Sequence, residues 1–326
     1  MLTQARDQAF RARLEPHRRA ITAHCYRMLG SLQDAEEVAQ DSLVRGWQRL
    51  EELRSSESAR AWLYRIATNA CLDMLKKKRR RRGLPNDLKP AADPEQPVGL
   101  PAEEELWIEP APDSLLDVAD DPLARPDALA FRRESIGLAF IAALQRLPPK
   151  QRAALLLVDV LGWRPRETAE LLQTTQASVN SLLQRARTNL GTSSGSPSLG
   201  ERPEDQAMVR RFVASWENGD LDAFTTMLAK DAILAMPPQP EWFEGAAAIR
   251  RFFERLFEDD PKRFRLLPIR ANGSAGVAVY AAPMHGGSFE AVAITVFTLR
   301  DGVVSRITKF TMPKLFRRFG LAERLG

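Results

Sequence analysis

The stretch "WRPRETAELLQTTQASVNSLLQRARTNL", residues 163–190, reads as two helices around a short turn. Thr168, Ala169, Leu171 and Leu172 give the first helix an apolar face, and Val179, Leu182, Leu183, Ala186 and Leu190 stripe the second at helical spacing. Thr175 offers a hydroxyl to cap the second helix. Ser178, Asn180, Ser181, Gln184, Arg185 and Arg187 are left for its outer face, and no acid lies among them. A helix–turn–helix lays the N-terminal part of its second helix in the DNA major groove. There Asn and Gln pair with adenine, and Arg pairs with guanine or holds a phosphate. The competing reading is an ordinary helical hairpin with a solvated polar face.

Upstream of this unit, Ile136, Phe140, Ala143, Leu144 and Leu147 mark one helix. "LPPKQRAALLLVDVLG" marks another, with Pro148 and Pro149 at its start, where a missing N–H costs little. Further back, "LDMLKKKRRRR" ends in seven consecutive cations, Lys76 to Arg82. Like charges in a block repel and stay in solvent unless a polyanion meets them. The block continues a helix. In "ARAWLYRIATNACLDMLKKK", Leu63, Ala67, Ala70 and Met74 share one face, while Trp62, Arg65, Asn69, Asp73, Lys76 and Arg80 share the other. In "QDAEEVAQDSLVRGWQRL", Ala39, Leu43, Trp47 and Leu50 form an apolar stripe, and Glu36, Glu37, Gln40, Asp41 and Arg45 lie mostly off it.

These motifs sit in a chain of 326 residues with net charge +5, long enough for two or three domains. Residues 8–82 read as helical. Residues 83–130 are rich in proline, and the span 83–128 carries twelve acids against Lys89 and Arg125, so 83–130 reads as an acidic, Pro-rich linker. Residues 131–190 are helical again, and "GTSSGSPSLGERPED", 191–205, reads as a flexible linker. Two cysteines, Cys25 and Cys71, and three histidines show no metal-ligand spacing, so neither a metal nor a cofactor is expected. The few cysteines, the absence of a signal-peptide pattern in "LTQARDQAF" and the lack of a long apolar run predict a cytoplasmic protein with no membrane partner.

The order and spacing of these stretches resemble bacterial sigma factors of the extracytoplasmic-function (ECF) type over about residues 8–190. "DAEEVAQDSLVRGWQRL" resembles region 2.2, "ARAWLYRIATNACLDMLKKKRR" regions 2.3 and 2.4, and "LQRLPPKQRAALLLVDVLGWRPRETAELLQTTQASVNSLLQRARTNL" region 4. The resemblance implies two all-α domains that bind core RNA polymerase, at the β′ clamp and the β flap, together with promoter DNA. Asp34, Glu37, Asp41, Arg45 and Trp47 are the implied polymerase contacts. Trp62, Asn69, Asp73, Lys76, Lys77, Arg79 and Arg80 are implied at the −10 element, with half-buried packing as the bland reading of Trp62. Ser178, Asn180, Ser181, Gln184, Arg185 and Arg187 are implied at the −35 element. The linker is implied to thread polymerase channels normally used by RNA. Two separate basic modules held apart by an acidic tether suit one DNA contacted at two places.

Residues 206–326 change character. Val209, Phe212, Val213 and Trp216 mark a helix, Ile249, Phe252, Phe253 and Leu256 another, and strands are predicted at 263–270, 274–281, 288–299 and 303–310. Asn272-Gly273 and Asp301-Gly302 are tight-hairpin signals. Helices followed by an antiparallel meander predict an α+β domain. It resembles the SnoaL-like cone fold, and sigma factors carrying such a domain form a subgroup in which it regulates in cis. "LWIEPAPDSLL" resembles their linker, so Trp107, Pro110 and Asp113 are expected to dock against the C-terminal domain, which is also expected to touch region 2. A cone can enclose a small ligand of unknown identity. Asp231, Tyr280, His285 and Glu290 are the candidates for acid–base chemistry, but Asp231 reads as a helix-to-strand junction and His285 as a loop residue, so no enzyme is expected. The tail "PKLFRRFGLAERL" predicts an amphipathic helix. The alternative reading is a one-component DNA-binding regulator with a ligand-sensing or catalytic cone.

Overall fold

The computed structural model describes residues 12–49, 56–78, 82–103, 106–116, 136–190 and 203–326. They form two compact units. One is built from the chain up to Arg82 together with Ser114–Ser194, the other from Gly83–Asp113 together with Gly195–Gly326.

The first unit is helical. Helix α1 (Arg18–Leu29) ends at Gly30, whose φ of 70° is the left-handed cap that glycine takes without strain. Ser31 then caps α2 (Leu32–Gln48) by accepting from the Asp34 N–H at 3.3 Å. Helix α3 (Ser56–Lys78) crosses both. The crossing is close because position 46 is glycine: a Cβ there would lie 2.9 Å from Leu14 Cδ1 and 3.1 Å from Trp62 Cζ3. The buried stripe of α3 is Leu63, Tyr64, Ala67, Thr68 and Cys71, while Ala70 and Met74 are half-buried. The stripe is turned from the expected one because polar partners share the core. His24 is 1 % exposed, lies 2.9 Å from the Thr68 hydroxyl and stands edge-on to Tyr64. Cys25 and Cys71 are buried free thiols, and burial pushes the Cys71 thiol up.

The second helical segment holds α4 (Leu138–Arg146), α5 (Pro149–Leu155), α6 (Pro165–Leu171) and α7 (Gln176–Leu190). Sequence reading treats the two helical segments as separate modules held apart. The structure packs them into one unit. The Gln145 amide donates to Arg27 O at 3.2 Å, and the Arg152 guanidinium donates to Met28 O, Gln145 Oε1, Gln145 O and Leu147 O. Trp163 packs edge-on against Tyr64 at 5.8 Å. Arg152 is 2 % exposed, and a charge so buried stays only where carbonyls receive its protons.

The second unit is α+β. Helices α8 (Pro203–Glu217), α9 (Leu221–Thr226) and α10 (Ala246–Asp259) cover a sheet of order β2-β1-β6-β5-β4-β3: β1 (Leu228–Ala235), β2 (Trp242–Glu244), β3 (Lys262–Ala271), β4 (Ser274–Pro283), β5 (Phe289–Arg300) and β6 (Val303–Phe310). Pairing is antiparallel except between β1 and β6. Asn272 and Asp301 take φ of 52° and 53° ahead of Gly273 and Gly302, which closes the hairpins where the dipeptides predict. Rings of Phe212, Trp216, Phe224, Phe253 and Phe297 fill the interior. The C-terminal tail differs from its expectation. Only Leu315–Arg318 is helical, and Arg324–Leu325 adds a strand, β7, to β5. Leu315 and Phe316 are fully buried, which leaves too short an apolar face for a longer helix.

The acidic segment departs further from its reading. From Gly83 to Asp113 it is a strap on the cone. Its ends are tied to each other, Gly83 N–H to Leu106 O at 2.9 Å and Ile108 N–H to Gly83 O at 3.2 Å. Trp107 and Ile108 are fully buried, and Pro110 and Ala111 are buried beside them. Cone and strap exchange backbone hydrogen bonds: Ala92 N–H to Trp242 O, Ala102 N–H to Pro238 O, and Asn272 N–H to Ala111 O. The Trp242 indole donates to Lys89 O at 2.7 Å, and Arg306 donates to Asn86 at 2.8 Å. Asp113 accepts from Arg270 at 3.0 Å and from the Gly273 N–H at 2.7 Å. Glu95 accepts from two of the three guanidinium nitrogens of Arg251, which hold its carboxyl below the usual range. Proline removes N–H donors, so the strap pairs with itself in only a few places and the cone supplies further donors and acceptors. Residues 117–130 of the predicted linker, and most of 191–205, lie outside the described residues.

Candidate nucleic-acid interface

The turn between α6 and α7 is built by Gln173, at φ 51°, and by Thr174 N–H donating to Ala169 O. Thr175 caps α7, its hydroxyl accepting from the Ser178 N–H at 3.1 Å. Val179, Leu183 and Ala186 are buried, which pins the rotation of the helix. Asn180, Ser181, Gln184 and Arg185 therefore share one exposed face, with Ser178 half-buried at its N-terminal edge. Arg185 leans back on its own helix, its Nε–H donating to Ser181 O at 3.3 Å, and the residue is exposed. Arg187 is the exception. Asp159 takes it in a two-pronged pair at 2.7 and 3.0 Å, so its charge closes the domain rather than adding to the face.

On α3, Arg65, Asp73, Lys76 and Lys77 are exposed and Asn69 is half-buried. Trp62 is half-buried, with its ring beside Gly46. Arg79 and Arg80 lie outside the described residues. The last cation of the run turns back: Arg82 pairs with Asp34 at 3.0 Å, with side chains 9 % and 11 % exposed. Asp34, expected at the polymerase, is thus paired within its own domain. Its carboxylate sits inside the domain, holding the end of the cation run to the first turn of α2. Glu37, Asp41 and Arg45 follow one another at helical spacing on the exposed side of α2, and Trp47 is half-buried. Among them stands Val44, 47 % exposed, an apolar group that the sequence reading missed. Its position off the Ala39–Leu43–Trp47 stripe is the signal that places it outward.

The cone offers no comparable cluster of acid and base. Asp231 pairs with Arg300, the Tyr280 hydroxyl donates to Ala322 O at 2.8 Å, Glu290 pairs with Arg324 at 2.9 Å, and His285 is on an exposed turn. Each has its own local setting, and they do not converge. Among the described residues no group of His, Cys, Asp and Glu can hold a metal ion, and no helix is long and apolar enough to cross a membrane.

The Sigma-70 region 2 family matches residues 14–81, the Sigma-70 region 4 family residues 137–190, and the SnoaL-like domain family residues 209–308. The chain is 42 % identical to the ECF RNA polymerase sigma factor SigG of Mycobacterium tuberculosis, over 97 % of this chain and 85 % of that protein. It is 28 % identical to SigJ of the same species, over 95 % of this chain and 94 % of that protein. The crystal structure of SigJ shares its fold, with a TM-score of 0.60 at 24 % identity, covering 95 % of this chain and 99 % of that one.

Proposed function

Because the chain belongs to the ECF RNA polymerase sigma factors, we propose that it reads one promoter through two faces: α7 at the −35 element, and α3 with the cations beyond it at the −10 element. The observation that carries this reading is the acid-free exposed row Asn180, Ser181, Gln184 and Arg185 on a helix whose N-terminus is capped and open. The exposed side of α2, with Glu37, Asp41, Val44 and Arg45, is the polymerase contact at the β′ clamp, and region 4 meets the β flap. The protein works in the cytoplasm, where polymerase and promoter are.

The cone acts in cis through the strap. It holds Gly83–Asp113, so it sets how much chain remains to span regions 2 and 4. Both promoter faces lie in the unit that Arg152 and Gln145 pin together. Reaching two promoter elements requires that packing to give way, and the strap limits how far it can.

In holoenzyme, Gln184→Ala or Arg185→Ala should change discrimination at individual −35 positions by about 1–3 kcal/mol per lost base contact. Promoter titration on a set of single-base variants measures it. A uniform loss over all variants would reassign these side chains to phosphate. Lys76→Ser with Lys77→Ser should instead weaken binding alike on all sequences and lower the salt slope by about one per phosphate contact. An unchanged slope would remove these two lysines from the DNA.

A further inference from the structure

One cation inside the cone has no acid. Lys309 on β6 faces inward beside Ile307 and is 8 % exposed. Its Nζ lies 5.4 Å from the ring centre of Trp216 and 5.7 Å from that of Phe253. Its cross-strand partner on β5 is Thr295, 2 % exposed, whose hydroxyl has no hydrogen-bond partner. The indole N–H of Trp216, 5 % exposed, has none either. Directly opposed residues of an antiparallel pair point to the same side of the sheet, so Lys309 and Thr295 share the interior with Trp216.

An aromatic ring can offset part of an ammonium's lost hydration, but it does not replace the acceptors that the N–H groups give up. Burial accordingly pulls the Lys309 amine down to about 8, and exposed Lys262, itself paired with Asp260, adds repulsion. Around the amine are donors and rings: Phe257 and Phe264 pack edge-on and close against Trp216, with Phe253 and Phe224 behind them. No carboxylate stands among them to balance the amine.

We propose that the cone binds a small apolar acid, its carboxylate or phenolate accepting from Lys309, Thr295 and Trp216 and its hydrophobic body lying against the ring shell. A sugar or nucleotide does not fit, because the shell offers too few polar partners for its hydroxyls or phosphates. A cationic ligand would meet Lys309. This site goes beyond the promoter reading and stands or falls without it.

Calorimetric titration of the full-length chain with 2-naphthoate, 2-naphthamide and 2-naphthylammonium tests the proposal. Naphthoate should bind saturably at one site, and the amide should bind at least about tenfold more weakly, as expected when a charge-assisted hydrogen bond is lost. Lys309→Met should bring naphthoate down to the level of the amide, and Lys309→Arg should keep part of the preference. Melting curves show that each variant is folded before it is titrated. No saturable naphthoate binding, equal binding of acid and amide, or an unchanged ratio in Lys309→Met would each overturn the proposal.

Discussion

Trp107→Ala should lower the unfolding free energy of the cone unit by about 3–5 kcal/mol, the usual result of truncating a buried large aromatic. Trp107 is among the largest fully buried side chains of the described residues and belongs to the cone's unit although it lies far from the cone in sequence. It also sits where the two ends of the strap pair, since Gly83 bonds to the carbonyl before it and to the amide after it. Its loss therefore loosens a loop whose other anchors, Asp113 on Arg270 and Glu95 on Arg251, are more exposed ion pairs. Solvent screens pairs of that kind, so they hold the loop only weakly. Urea unfolding of the full chain, followed by hydrogen exchange resolved over residues 83–113, reads both effects. The strap amides should lose protection together with the cone, while the unit containing α1–α7 keeps its own. A change within about 0.5 kcal/mol, the range of ordinary surface substitutions, would mean that the strap is not a structural part of the cone.

Acid should cost the helical unit about 3 kcal/mol at pH 4.5 through His24 alone. Burial, with Arg27 nearby, lowers its folded pKa to about 3 from 6.5. Between those values the unfolded chain takes up a proton that the native ring refuses, so stability rises with pH across the window. The contribution is whole above about pH 6.5 and is lost as pH falls towards about 3. Two units below the unfolded pKa, at about 1.4 kcal/mol per unit, give the figure at pH 4.5. Carboxylates titrate in the same range, so the comparison is with His24→Gln, which can keep a bond to Thr68 and carries no titrating ring. The wild type should lose about 3 kcal/mol more than the variant between pH 7 and pH 4.5 in denaturant unfolding. Equal losses would show that the ring is not held neutral in the native core.

The helix–turn–helix and the cone hairpins were legible because each is specified locally: a threonine cap and an apolar stripe at Val179, Leu183 and Ala186, or an Asn-Gly and an Asp-Gly between alternating strands. The strap was not. Its prolines and acids have the composition of a solvated linker, and the groups that order it come from Trp242, Arg251 and Arg270, more than a hundred residues away. The exception is the stretch around Trp107, Pro110 and Asp113, expected to dock through its resemblance to other linkers, in which Asp113 bonds to Arg270 and Gly273. The ion pairs of Asp34 and Arg187 were not legible for a related reason. Charge type and helical position identify a surface residue, but not the distant partner, Arg82 or Asp159, that folds the charge back. Lys309 had no signal at all. A lysine in a strand reads as solvated until the register sets it opposite Thr295.

The most direct test is to mix core RNA polymerase with the full-length chain and map the 5′ ends of transcripts from a pool of random promoter fragments. The account predicts that the chain co-elutes with the core enzyme and that starts fall downstream of one shared pair of sequence elements, the upstream one lost with Gln184→Ala and Arg185→Ala together. Core enzyme that elutes without the chain, or starts no different from those of core enzyme alone, would contradict it.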